Sequence, residues 1–219
     1  MISELDEGQA KPSQRLARGV LIAIEGIDGA GKTTQARAIA EGIQRRWGFP
    51  VISTKEPTDG VWGRKIRESA RSGRLPPEEE FRFFLEDRRD HVTSLIEPSL
   101  ARGEVVIVDR YYLSSAAYQG ARGLSQQAIL EANEKFSPRP DVVFLLEIPV
   151  EDAAKRILRR EGDEGNLFEE RDYLERCAAG FEELVETRDF FKTLDGMGSR
   201  EEITNAALGH LVSLGLFVS

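Results

Sequence analysis

The chain has 219 residues, 40% apolar and 31% charged, a balance suited to one α/β domain with a substantial core rather than two independent ones. Its 38 acidic against 30 basic side chains give a net charge of -8, which excludes a protein that coats a nucleic-acid polymer, so any anionic ligand must be met by a local basic site. The lone Cys177 excludes an intramolecular disulfide, and no apolar run reaches the roughly 18 residues of a membrane span.

Residues 1–18 are polar with almost no apolar periodicity and read as a flexible arm ahead of the fold. They lack the apolar segment of a signal peptide, so a cytoplasmic chain with a reduced thiol is expected. Four β-rich apolar runs follow at 20–25, 50–54, 104–109 and 141–148, with a weaker fifth at 190–195. Their near-continuous hydrophobicity predicts parallel strands covered on both faces. Helical stretches are expected at about 33–47, 61–72, 77–102, 125–136, 150–161, 169–188 and 199–215. Such alternation predicts a doubly wound five-stranded parallel sheet flanked by helices, with ligands beyond the carboxyl ends of the strands. The acidic, glycine-containing stretch REGDEGNLFEE at 160–170 interrupts two helices and suggests a mobile lid over about 155–170.

The first strand runs into GIDGAGKTTQ at 26–35. Residues 26–33 fit G-x-x-x-x-G-K-[ST] between a strand and a helix, the setting of a phosphate-binding P-loop. Gly26, Gly29 and Gly31 let backbone N–H groups ring a phosphate, with Ile27, Asp28, Ala30 and Thr34 completing the ATP-binding segment. Lys32 is expected to bridge the terminal phosphates of ATP, and the Thr33 hydroxyl to ligate Mg²⁺. Asp109, closing the third strand, is placed to hold that Mg²⁺ through water.

Just beyond that strand, VDRYYLSSAAYQG at 108–120 resembles the D-R-[YF]-x-x-S-x-x-A-[YF]-Q signature of thymidylate kinases, met by Asp109, Arg110, Tyr111, Ser114, Ala117, Tyr118 and Gln119. The resemblance extends through IEGIDGAGKTTQ, KEPTDG, FFLEDR and the lid, over roughly residues 20–195. It implies a P-loop NTPase-like nucleoside monophosphate kinase domain over 19–219, a homodimer, and transfer of phosphate from ATP to dTMP in the dTTP pathway. It also implies that Arg110 holds the acceptor phosphate, Phe84 stacks on thymine and Arg88 hydrogen-bonds the base. Ser115 then touches the base edge, Tyr118 crowds the 2′ position of the sugar, Gln119 reaches the same ligand, and Asp28 lies near the acceptor sugar or the metal's water. Glu56 and Arg67 belong to the element beside the acceptor, where Lys55 and Thr58-Asp59-Gly60 replace the family's commoner residues.

Some members carry an arginine inside the P-loop where this chain has Ala30, so the lid must supply the cation that meets the transferred phosphate. Arg156 and Arg160 are assigned that task, and Arg159 is assigned to ATP. A phosphate monoester, with its second pKa near 6, attacks as a dianion and needs no catalytic base, whereas a nucleoside hydroxyl does. The alternatives are a deoxynucleoside kinase and a non-catalytic ATP-binding regulatory module. His91 and His210 lie in no motif and are expected to be structural.

Overall fold

Five strands form the sheet: β1 (Val20–Glu25), β2 (Val51–Lys55), β3 (Val105–Asp109), β4 (Val142–Glu147) and β5 (Phe191–Asp195). All pair in parallel, in the order β2-β3-β1-β4-β5. The structure, a computed structural model, describes residues 16–161 and 167–217, leaving out the side chains of 160, 161 and 167–170. The register sets Ile24 and Lys55 on either side of Asp109, and Glu25 beside Leu145. β2 and β3 therefore end at one level, with β1 reaching one residue and β4 three residues beyond it.

Nine α-helices cover the sheet among the described residues: α1 (Lys32–Trp47), α2 (Val61–Ser72), α3 (Pro77–His91), α4 (Glu97–Ala101), α5 (Tyr112–Gly120), α6 (Gln126–Glu134), α7 (Val150–Glu161), α8 (Leu167–Thr187) and α9 (Arg200–Ser213). Odd and even strand positions go to opposite faces, as the pleat requires. Val20, Ile22 and Ile24 pack with Val105, Ile107 and Phe144 beneath Ile39 and Ile43 of α1 and Leu208 of α9. Leu21 and Ala23 pack with Val106, Val108 and Leu145 beneath Leu113, Phe181 and Leu184 of α5 and α8. Only β1, β3 and β4 are buried nearly throughout; β2 and β5 are edge strands with half-exposed residues.

Three local features differ from the expected pattern. The single helix expected over 77–102 is divided by a π-helical turn, Val92–Ile96, in which the Glu97 N–H reaches back to Val92 O. Pro98 has no N–H for a regular i→i−4 bond, and the widened turn just ahead of it absorbs the mismatch. α5 falls where no helix was expected, within the stretch just after β3. Residues 16–18 of the expected arm sit on the body: Leu16 N donates to Gly103 O at 3.1 Å and Arg18 pairs with Asp141 at 2.7 Å. Residues 1–15 and the centre of the expected lid, 162–166, lie outside the described residues. No described helix is long and apolar enough to cross a membrane.

Cys177 of α8 is buried in the core, and burial pushes its thiol up to about 12. At pH 8 a disulfide reagent should label the native chain at least about 100-fold more slowly than the guanidinium-unfolded chain, because the thiolate is the nucleophile. Rapid stoichiometric labelling of the native chain would contradict this packing.

Candidate active site

β1 ends at Glu25, and the chain turns through residues 26–31 into α1. Gly29 and Gly31 have φ of 84° and 93°, in the left-handed region that favours glycine. A Cβ on Gly29 would stand 2.6 Å from Ala153 O, so only glycine lets α7 lie against the loop. Gly31 is the N-cap of α1; no side chain caps that helix and no acidic residue occupies its first turn. Its leading N–H groups and positive dipole end are thus left to an anionic ligand. Lys32 folds back under the loop, its Nζ donating to Ile27 O at 2.7 Å. Burial, then the neighbouring Arg110, pushes the Lys32 ammonium down to about 7 against the opposing pull of Asp28, Asp109 and Glu25.

Thr33 Oγ1 donates to Asp109 Oδ2 at 2.5 Å, while the buried Asp109 Oδ1 has no partner among the described residues. A hydroxyl and an orphaned carboxylate oxygen fit Mg²⁺, which takes few protein oxygens and fills its shell with water and phosphate. No cluster of three His, Cys, Asp or Glu side chains among the described residues offers a full protein cage instead.

The loop opens onto a cavity of about 930 Å³. Asp28, Gly29, Gly31, Lys32, Thr33 and Thr34 of the loop line it, together with Glu56, Arg67, Phe84, Arg88, Ser115 and Gln119 and with Asp109, Arg110, Tyr118 and Arg156. Arg110 has φ of 67°, a strained conformation for a side chain with a Cβ. Its NH2 donates to Asp28 Oδ1 at 2.5 Å, and its guanidinium lies 4.9 Å from the centre of the Tyr118 ring. Tyr118 in turn donates its hydroxyl to Asp28 Oδ2 at 3.2 Å. The glycine loop and the post-β3 turn are thereby tied together at one charged point.

Arg88 is 1% exposed and surrounded by acceptors: Glu56 Oε2 at 2.7 Å, Asn133 Oδ1 at 2.5 Å and Ser115 Oγ at 3.1 Å. His91 bridges Glu56 Oε1 at 3.0 Å and Thr54 Oγ1 at 2.8 Å, a structural position. Half-buried Phe84 lies one turn before Arg88 on the same face of α3. Arg67 donates to Pro57 O at 3.0 Å and Asp59 Oδ1 at 2.9 Å. Gln119 donates to Glu80 at 3.3 Å, while its buried Oε1 is unpartnered among the described residues. A cavity walled by a helix N-terminus, a lysine, an aromatic ring, fixed hydrogen-bonding groups and an arginine tied to the glycine loop suits two phosphate-bearing ligands.

A family model described as thymidylate kinase matches residues 24–207. The chain belongs to the thymidylate kinase family. It is 54% identical over 166 residues to a thymidylate kinase of Xanthomonas campestris pv. campestris (strain B100), covering 76% of this chain and 72% of the relative. A thymidylate kinase of Xylella fastidiosa (strain M12) is 48% identical over 191 residues, covering 87% and 86% of the two chains. The fold matches the crystal structure of thymidylate kinase from Ehrlichia chaffeensis with a TM-score of 0.73 at 24% identity, over 89% of this chain and 99% of that one. As a member of this family the chain is a nucleotide phosphotransferase with ATP as co-substrate.

Not every expected residue meets the cavity. Gly26 and Ile27 line a separate apolar hollow beside β4 and α8, and Ala30 is buried in the core, so these three shape the loop from behind. Arg156 faces the cavity and donates to Gly29 O and Gly196 O, each at 3.3 Å. Arg159 is exposed on α7 and does not line the cavity, while the Arg160 side chain lies outside the described residues.

Sequence reasoning passed over Glu25, Glu80, Arg74 and Tyr173. Arg74 lies 5.0 Å from the centre of the Tyr173 ring and donates to its hydroxyl at 3.3 Å, joining the α2–α3 connection to α8 across the cavity. Glu80 is buried and holds Arg122 at 2.5 Å. Glu25 stands out only as a charge closing a buried apolar strand, Glu80 is one of three consecutive glutamates in the first turn of α3, and nothing local marks Arg74 or Tyr173.

The depressed Lys32 ammonium has a measurable consequence on nucleotide binding. A bound phosphate restores its proton, so ATP binding without acceptor at pH 8 should take up about half a proton or more per site, vanishing toward pH 6 where Lys32 is already charged. Calorimetric titrations in two buffers of different ionisation enthalpy measure it, and net proton release at pH 8 would refute the assignment.

Proposed function

We propose that the chain phosphorylates dTMP to dTDP with ATP and Mg²⁺, the ATP phosphates resting on the glycine loop and the start of α1. The observation that carries this reading is Arg110, held by Asp28 and Tyr118 between that loop and the compartment of Phe84, Arg88 and Ser115. A guanidinium fork at that boundary accepts the phosphate of a monophosphate and offsets its repulsion from the γ-phosphate. Lys32 takes the terminal phosphates of ATP, and Thr33 with Asp109, through water, would hold Mg²⁺. When bound, that ion neutralises charge on the β- and γ-phosphates.

The acceptor end suits a nucleotide better than a nucleoside. The two carboxylates nearest the acceptor are engaged with cations, Asp28 with Arg110 and Glu56 with Arg88, which disfavours either as the base a hydroxyl acceptor requires. A phosphate dianion needs none. Phe84 and the groups around Arg88 and Ser115 receive the base, Tyr118 and Asp28 border the sugar, and Gln119, Glu56 and Arg67 complete the acceptor wall. Arg156 and Arg160 bring cations from the lid to the transferred phosphate, with Arg159 on the ATP side. A cytoplasmic homodimer acting on small nucleotides completes the proposal, by resemblance to the family.

ADP release coupled to NADH oxidation, followed with dTMP, dUMP, dCMP, dAMP and thymidine, tests the acceptor. Turnover should be strongest with dTMP and absent with thymidine, and R110A should lower turnover by about 100- to 1,000-fold, as for loss of a donor that stabilises transition-state charge. ATP turnover indifferent to dTMP would point to the regulatory module, and phosphorylation of thymidine to the deoxynucleoside kinase.

A further inference from the structure

Glu25 is the last residue of β1, one position before the glycine loop, and is fully buried. A carboxylate has no reason to be in such a place unless its oxygens are needed. Both are used on one segment. Oε1 accepts from Tyr111 N at 2.8 Å and Ser114 N at 3.2 Å, and Oε2 accepts from Ser114 Oγ at 2.5 Å. Ser114 Oγ in turn accepts from Arg110 NH1 at 3.3 Å. A continuous chain of hydrogen bonds therefore runs from the end of the ATP-side strand to the guanidinium at the acceptor boundary.

The same carboxylate acts on the backbone of that arginine. Arg110 holds a left-handed φ of 67°, which persists only where the surroundings over-determine it. Its N–H is bonded to Ile24 O at 3.0 Å, and the next residue, Tyr111, is pinned by Glu25. Residues 24 and 25 thus fix both sides of the strained position. Ser114, pinned twice, presents its hydroxyl lone pair to Arg110 because its proton is committed to Glu25.

The geometry points to Glu25 as a positioning residue for phosphoryl transfer: it ties the strand that carries the ATP loop to the turn that aims Arg110 at the acceptor phosphate. It touches neither substrate and acts through Ser114 and the backbone at 111 and 114. This rests on the proposed role of Arg110.

The test is a double-mutant cycle on the full chain, using E25Q, S114A, R110A and the pairs E25Q/R110A and S114A/R110A. Gln in place of Glu25 keeps an oxygen for the two backbone N–H groups but turns a donor toward Ser114, reversing the relay while sparing the fold. Both E25Q and S114A should lower kcat/KM for dTMP by about 10- to 100-fold, as a small misplacement of a reacting group does, while the Kd for ATP measured without dTMP changes less than twofold. In the R110A background either substitution should cost little more, because the arginine it positions is gone. A structural role alone would shift thermal stability and both nucleotides together, and its losses would add to those of R110A, which overturns the inference while leaving Arg110 in place. R110A with undiminished turnover of dTMP would overturn the role of Arg110 and this inference together.

Discussion

The pairing of β1 with β3 is the constraint from which the site follows. These strands are separated by two helical connections and β2 in sequence, yet they run parallel with Ile24 opposite Asp109. Beyond that level each strand gives way to a turn, one carrying the glycine loop and the other Arg110. Arg110 N bonded to Ile24 O extends the ladder by one more step into the site. A slip by one residue would send every β1 side chain to the wrong face, so the burial of Ile22 and Ile24 on one side and Leu21 and Ala23 on the other fixes the chemistry as firmly as the fold.

An acidic chain that gathers two polyanions must concentrate its cations where water is scarce. Lys32 and Arg88 are buried, and each is held among acceptors. Desolvation drives Lys32 toward neutrality. Buried carboxylates balance the arginines: Glu56 with Arg88, and Glu80 with both Arg122 and Arg74. Removing either partner of such a pair would strand a charge in the interior, so the acceptor wall is rigid by electrostatics as well as by packing. Rigidity of that kind suits a site that distinguishes one base from another.

How much of this could be read from the chain depends on whether a signal was local. The strands were legible because apolar runs bounded by turn residues are a property of the segment itself, and the glycine loop because its spacing is tied to a strand before and a helix after. α5 was not, since YLSSAAYQG spans only 9 residues and is buried nearly all round, so no exposed polar face sets it apart from a strand or a loop. The division between Arg156, facing the cavity, and Arg159, exposed, depends on the roll of α7 against the loop, which the i, i+3 spacing does not specify. Glu25 stood inside the quoted motif unnoticed, because its partners come from residues more than 80 positions away.

The cations of the cavity differ in what they would give up to bind phosphate, and that difference orders their proposed roles. Arg110 is paired with the carboxylate of Asp28 and faces the ring of Tyr118. An incoming phosphate adds to this arrangement, since the fork has further N–H donors and the site is already organised. Arg156 instead rests on two neutral carbonyls, each at 3.3 Å, the long end of hydrogen bonding. Exchanging these for a charged oxygen is favourable, because a hydrogen bond to an ion is roughly twice as strong as one between neutral groups. Arg110 is therefore suited to hold the acceptor from the outset, and Arg156 to move onto charge as it develops. One of the carbonyls Arg156 would release belongs to Gly29, so in the proposed mechanism its shift also alters the environment of the loop that carries ATP.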